Sequence, residues 1–531
     1  MSKPIDSLTR KAAISEQDTN IVVVAGAGTG KTTLLVNRIL HMLLGHKRFQ
    51  DVDSPILRIA AMTFTEKAAS DIKIKLMDEL EKIVAVINEN IFGEEKSKVE
   101  NFLGYIRDIY KIKTSEIERR AKKSLEDMDK ALIGTIHSFA AYILRLYPIE
   151  SGVAPGFIVD DGDIFNELFD KEWTKWLDKE LNLTAPNASA WKIILNRLDL
   201  ESLKELTRML SGFHIPPDSF AFIKNIKSSV QSFIEPLLDK ISETASLCNN
   251  SNNNLLKQLL ELSNTLNAVK KQGISCLHNL EYDLEKNPSN AETGWVKGFE
   301  TAKRLVKDCY TLLKKLKTVD EEFIQNILNL IIPFTESFRQ IYLSKGYVSF
   351  DGLLTLTRDL LKNKEFLYIR EKLKNEFKAI LVDEFQDTDP IQYEIVLFLS
   401  EVSGKYSQDA HNITLEKGKL FIVGDPKQSI YAFRRADIEA YEYVVERILG
   451  SNEAFKLQEN FRSHSGIVDV INNLFDGRII AEQPSLQPQY IPIFTSRHKN
   501  ISFQKVEIVF VYDKDSNELK ADETREAEAE W

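Results

Sequence analysis

Within nine residues, the segment Ala25-Gly26-Ala27-Gly28-Thr29-Gly30-Lys31-Thr32-Thr33 carries the groups needed to hold a polyphosphate. Glycines at 26, 28 and 30 let the backbone fold around an anion with its N–H groups turned inward. Lys31 can reach β- and γ-phosphates, and Thr32 can offer its hydroxyl to Mg²⁺. The bland alternative is a glycine-rich turn. What separates the two is context, since a strand must come before the loop and a helix after it.

Such a loop does chemistry only with a carboxylate to hold the metal and a group to activate water. The segment ILVDEFQDTDPIQ (residues 380–392) has both at the end of an apolar run. Asp383 would hold Mg²⁺, usually through a water, and Glu384 would orient and deprotonate the attacking water. Adjacent carboxylates repel and raise each other's pKa, a cost that a bound metal ion offsets. Further along, Thr388 or Asp389 has the right type to cap a following helix.

The elements that would position these groups read as a parallel α/β sheet. Residues 21–24 are a short apolar run feeding the glycines, as a buried parallel strand would be, and 31–44 read as a helix. A second buried strand is expected at 56–62, with helix from Glu66 onward, and two more strands at 379–382 and 420–423. Strands alternating with helices make a parallel sheet. Residues from about 150 to 340 instead show helical periodicity. Phe165, Leu168, Phe169, Trp173, Trp176 and Leu177 fall on one face, as do Ile324, Ile327, Leu328 and Ile331. An asparagine-rich tract at 249–254 reads as a surface loop, and the charged stretch 513–531 as the start of a helix.

Composition is neutral about partners. The chain has 531 residues, 43% hydrophobic and 28% charged, which is enough for several folded domains. The net charge of −10 argues against a coat on nucleic acid but allows a local basic groove. No run of eighteen apolar residues suggests a membrane span, and the charged first residues do not form a signal peptide, so a cytoplasmic location with no membrane partner is expected. Cys248, Cys276 and Cys309 are too few and too scattered for a disulfide framework or zinc site.

Further segments follow in order: MTFTEKAA (62–69), GTIHSFA (134–140), VGDPKQSIYAFRRAD (423–437) and LQENFRS (457–463). With the two segments above, the series resembles the motifs of UvrD/Rep-type superfamily one DNA helicases, over roughly residues 1–150 and 345–475. The wording of 383–392 and 424–438, with VSFDGLL at 348–354, is closest to the RecB and AddA branch of helicase–nucleases. The resemblance implies a RecA-like P-loop domain in two parts, 1–150 and 346–450. A helical insertion would occupy 151–345, and a second motor domain would begin in 451–531. It implies ATP and Mg²⁺ as cofactors. The partners it implies are single-stranded DNA, DNA ends and a second helicase–nuclease subunit.

Carried over by position, Gln428 would sense the γ-phosphate, Arg462 would be an arginine finger and Phe461 would stack on adenine. Phe64, His137, Tyr431 and Phe433 resemble residues on which unpaired bases sit, and stacking of that kind is indifferent to sequence. Thr63 and Thr135 resemble contacts to backbone phosphates. Phe64 and Phe433 also suit an apolar core, and His137 a buried hydrogen bond. Arg10 stands where the family commonly has an adenine-reading glutamine, so a preference for ATP does not carry over with the rest.

No segment before Trp531 resembles the later motifs of the second motor domain, and the chain reads as a fragment, a split product or a degenerate subunit. Two functions are therefore expected in competition. One is an ATP-driven 3′-to-5′ helicase on single-stranded DNA, serving recombinational repair or end processing. The other is an ATP- and DNA-binding module without motor activity. A small-molecule kinase built on the same loop would have no use for the aromatic segments around Phe433 and Phe461.

Overall fold

The structure is a computed structural model that describes residues 4–89, 93–181, 186–215, 226–279, 286–430, 438–450, 453–476, 478, 490–495, 497 and 525. Tyr431, Phe433 and all of the charged 513–531 stretch except Arg525 lie outside the described residues. Two compact units divide the chain, one made of residues 1–146 with 356–531 and the other of 147–355.

The described strands, in chain order, are β1 (Ile21–Ala25), β2 (Ile59–Thr63), β3 (Leu132–Thr135), β4 (Ile158–Asp160) and β5 (Tyr347–Ser349). They continue with β6 (Ala379–Val382), β7 (Leu420–Gly424), β8 (Phe455–Leu457), β9 (Glu459–Asn460) and β10 (Phe494–Thr495). In the first unit six of them form one sheet, in the order β3-β2-β6-β7-β1-β8. Every pairing in it is parallel. β6 and β7 are buried at every residue, which explains their unbroken apolar spelling: a parallel sheet is covered on both faces. The expected α/β fold with a P-loop sheet is therefore what the chain adopts.

Position in the sheet sets up the site. β1 and β6 flank β7, so the ends of β1 and β6 lie two strand spacings apart, about 10 Å. A lysine from one end and a glutamate from the other can span that gap. In open parallel sheets the crevice beyond the carboxyl ends of the strands is where ligands are held.

The helix after β1 runs over Lys31–Leu44, as the sequence suggests. The second strand does not begin at 56, however. Pro55–Arg58 is a 3₁₀ turn with proline in its first turn, and the strand begins at Ile59. Ile56 is apolar because it is buried in the core, not because it is in the ladder.

The second unit is mostly helical, with a small parallel pair of β4 and β5. Its aromatic stripe packs as the periodicity requires. Phe169 and Trp173 are buried, and Phe169 meets Phe334 and Phe338 of the helix Glu321–Ser344 edge to face. The asparagine tract ends in a cap, with Asn253 Oδ1 accepting the N–H groups of Leu255 and Leu256. Among the described residues no helix is long and apolar enough to cross a membrane.

Candidate nucleotide-binding site

The loop after β1 turns by means of two left-handed glycines, Gly28 (φ +73°) and Gly30 (φ +83°). Gly30 is also the N-cap of the Lys31 helix and caps it with no side chain, so the first-turn N–H groups face outward with the positive end of the helix dipole. A Cβ on Gly28 would lie 2.8 Å from the Cβ of Arg462 and from Asn460 Nδ2, so no other residue fits this approach. Beneath the turn, buried Thr29 donates its hydroxyl to the Gly26 carbonyl at 2.8 Å.

Opposite it, β6 ends in the acidic pair. Asp383 is 7% exposed and sits just past the ladder, its N–H donating to Met62 O at 2.8 Å. Glu384 adopts the left-handed region at φ +50°, unusual for a residue with a side chain, and strain of this kind gathers at working sites. Lys31 Nζ donates to both its oxygens, at 2.6 and 2.7 Å. Burial, reinforced by the Glu384 charge and opposed by Lys31, pushes the Asp383 carboxyl up to about 6. Asp387 is raised to about 6 for the same two leading reasons. One of its oxygens is buried without a hydrogen-bond partner among the described residues. A buried, partly unsatisfied carboxylate cluster facing an ammonium and a bare helix N-terminus fits a metal-bound triphosphate, which supplies a phosphate for the lysine and a cation for the acids. Beyond the pair, Asp389 caps the helix Pro390–Ser400, accepting the Gln392 N–H at 2.8 Å.

An open cleft of about 800 Å³ lies between the glycine loop and the acidic turn. It brings together Gly28, Gly30, Lys31, Thr32 and Thr33 with Asp383, Glu384, Gln428, Phe461 and Arg462. Phe461 is 42% exposed, and the Arg462 guanidinium has no hydrogen-bond or ionic partner among the described residues. Gln428 donates from Nε2 to Asp425 Oδ2 at 2.7 Å. Phe64 also stands in this wall, beside the nucleotide loop.

Other expected residues lie elsewhere. Ala25 ends β1, and Gly26, Ala27 and Thr29 belong to the loop after it; none of the four lines the cleft. Thr63 and Thr135 are buried, and their hydroxyls donate to Thr65 O at 2.9 Å and to Glu66 Oε1 at 2.7 Å. His137 is half-buried near the start of the helix Ile136–Leu146.

Three residues matter that motif reading gave no role. Asn460 donates from Nδ2 to Ala27 O at 2.7 Å and accepts the N–H groups of Arg462 and Ser463 at 2.9 and 2.7 Å. With the Phe461 N–H donating to Gly28 O at 2.8 Å, it straps the phosphate loop to the segment bearing Arg462. Arg10 is gripped by Asp6 through two hydrogen bonds of 2.6 and 2.9 Å. It donates to Thr29 O at 2.7 Å and lies 5.0 Å over the Phe461 ring, so the residue at the glutamine's place braces the loop. Gln386 joins the acidic turn to the end of β7 by accepting the Asp425 N–H at 2.9 Å.

The family description UvrD/REP helicase N-terminal domain matches residues 7–448. An ATP-dependent helicase/nuclease subunit of Bacillus velezensis is 26% identical over 535 aligned residues, covering 89% of this chain and 40% of that protein. The protein of the same name from Bacillus pumilus is 27% identical over 522 residues, covering 87% and 39%. That from Listeria innocua is 24% identical over 543 residues, covering 89% and 39%. The chain therefore spans about two fifths of the length of these curated relatives.

Proposed function

The chain belongs to the UvrD/REP helicase N-terminal domain family, and on that premise we propose that it is the nucleotide-binding part of an ATP-dependent DNA helicase of the helicase/nuclease kind, working in DNA repair. The observation that carries the reading is the Lys31–Glu384 pair, 2.6 Å apart in a cleft that also holds the phosphate loop and Arg462.

In this reading Lys31 turns from Glu384 to the β- and γ-phosphates, and the bare N-terminus of its helix binds the phosphate oxygens. Thr32 and Asp383 would hold Mg²⁺, which when bound neutralises charge on the β- and γ-oxygens. Glu384, released by the lysine, orients a water in line with the γ-phosphorus and takes its proton on a carboxylate oxygen. Arg462, free of ionic partners among the described residues, meets the charge that develops on the transferring group. Gln428 responds to the γ-phosphate, and Phe461 offers its exposed ring to the base. With Arg10 spent on Asp6 and Thr29, no side-chain amide at that place reads adenine.

On the DNA side, His137, Phe64, Tyr431 and Phe433 are proposed to stack on unpaired bases. Thr63 and Thr135 are proposed to bond backbone phosphates, Thr135 by turning its hydroxyl from Glu66. Movement is proposed to run 3′ to 5′. The proposed protein partner is a second helicase–nuclease subunit, in keeping with the relatives' name.

The test is ATP hydrolysis by the 531-residue chain with and without a single-stranded oligonucleotide. Turnover that rises with DNA and vanishes in Glu384→Gln supports the motor. Nucleotide binding with no turnover on either side reduces the function to a binding module. Strand displacement from duplexes with a 3′ or a 5′ tail reads the polarity.

A further inference from the structure

Gln386 is 1% exposed, and among the described residues its side-chain amide has three hydrogen bonds, all inside the site. Oε1 accepts the Asp425 N–H at 2.9 Å, which fixes the orientation of the amide, because only its oxygen can face a backbone donor. Nε2 is thereby turned to the acidic turn and donates to Glu384 Oε2 at 3.0 Å and Asp387 Oδ2 at 3.1 Å. Asp425 in turn accepts from Gln428 Nε2 at 2.7 Å, and Ser429 Oγ donates to the Gln386 carbonyl at 3.2 Å. A continuous path thus runs from Lys31 through Glu384, Gln386 and Asp425 to Gln428. The approach depends on Gly424, where a Cβ would lie 2.6 Å from Gln386 Oε1.

We propose that Gln386 is a positioning residue that holds Glu384 toward water once the nucleotide has drawn Lys31 away, and that carries the state of the phosphate site to the 425–430 segment. This rests on the nucleotide-site reading above. Among the described residues the Glu384 carboxylate has two hydrogen-bond partners, Lys31 and Gln386. A triphosphate competes for the first and leaves the second. Because the same amide grips Asp425, any shift of Glu384 moves Asp425 and the Gln428 bonded to it. The type of residue matters: the position needs two donors and one acceptor and must stay neutral between two carboxylates. Glutamate would add a third negative charge and donate nothing, whereas methionine would fill the same space and donate nothing.

The 531-residue chain and its Gln386→Met, Gln386→Glu and Gly424→Ala variants test this, the last by keeping Gln386 while crowding its amide oxygen away from the Asp425 N–H. Two quantities are read: hydrolysis of Mg·ATP, and the affinity for a fluorescent ATP analogue with and without an oligo-dT strand. In the wild type the strand is expected to change analogue affinity by at least about fivefold, the lower end of ordinary coupling between sites. All three variants are expected to bring that ratio to about one, and both Gln386 variants to lower kcat about tenfold or more with KM nearly unchanged. Urea midpoints show whether each variant is folded, and Gly424→Ala keeps the idea testable should both Gln386 variants unfold. Folded Gln386→Met with the wild-type ratio and kcat would overturn the proposal, because a space-filling role is all methionine preserves. A wild-type ratio of one would overturn it too. Failure of the nucleotide site itself shows separately, as Lys31→Ala binding the analogue like the wild type.

Discussion

Asn460→Ala removes three hydrogen bonds at once, from Ala27 O and to the N–H groups of Arg462 and Ser463. Asn460 is 3% exposed, so little water is at hand to replace them. At about 1 kcal/mol net for each bond, the loss of folding stability should be about 3 kcal/mol, a large share of the 5–15 kcal/mol typical of a domain. One of the three bonds holds the phosphate loop itself. If ordering that loop is left to the ligand, nucleotide affinity should fall by about 1 kcal/mol, roughly fivefold. Asn460→Asp separates the two effects. It keeps the acceptor for Arg462 and Ser463 but sets a carboxylate against the Ala27 carbonyl, so its stability should be nearer the wild type while its affinity falls as far. Urea unfolding of the full chain gives the first quantity, and titration with Mg·ATP the second. A drop under about 0.5 kcal/mol in Asn460→Ala, with unchanged affinity, would mean that something else holds the loop and that the strap is incidental.

Three other outcomes follow from the same geometry. Burial, then the charge of Arg38, pushes His41 down to about 4 from an ordinary 6.5, and burial with Arg48 does the same to His46. Because the folded values lie below the unfolded one, their contribution is present above pH 6.5 and is lost as pH falls toward 4. Asp383 and Asp387, raised to about 6, oppose the histidines over the same range, so the test is the difference between chains: His41→Gln, which can still bond Tyr110, should lose less urea midpoint than the wild type as pH falls from 6.5 to 4. Glu401→Gln should cost about 3–5 kcal/mol by urea unfolding, since it strips the charge that faces fully buried Arg370 and Lys374. Phe433→Ala should weaken single-strand affinity by about 1–3 kcal/mol in an anisotropy titration, and unchanged affinity would remove Phe433 from the proposed base contacts.

What was legible in the sequence is what local chemistry decides. Lys31–Leu44 can be read as a helix because its apolar residues recur at helical spacing after a glycine-rich turn. β6 and β7 can be read as buried strands because both faces are covered, so that no polar residue interrupts them. Ile56 misled because burial in a 3₁₀ turn and burial in a strand leave the same apolar mark. Asn460 and Gln386 stand inside recognisable segments, but their work lies at long range. Asn460 bonds a carbonyl 433 positions away, and Gln386 an N–H 39 positions away. No periodicity encodes such pairs. Arg10 likewise displays its charge but not its commitment to Asp6 and Thr29. Phe64 has the ring that base stacking needs, yet only the fold sets it in the wall of the phosphate cleft.

Calorimetric titration of Mg·ATP into the full chain carrying Glu384→Gln, beside Lys31→Ala, bears most directly on the claim that the two residues share one triphosphate. Glu384 now holds the lysine through both its oxygens, so neutralising it should free Lys31 and leave affinity equal to or a few-fold tighter than in the wild type, while Lys31→Ala loses binding. A Glu384→Gln chain that binds as poorly as Lys31→Ala, or a Lys31→Ala chain that binds as well as the wild type, would contradict the account.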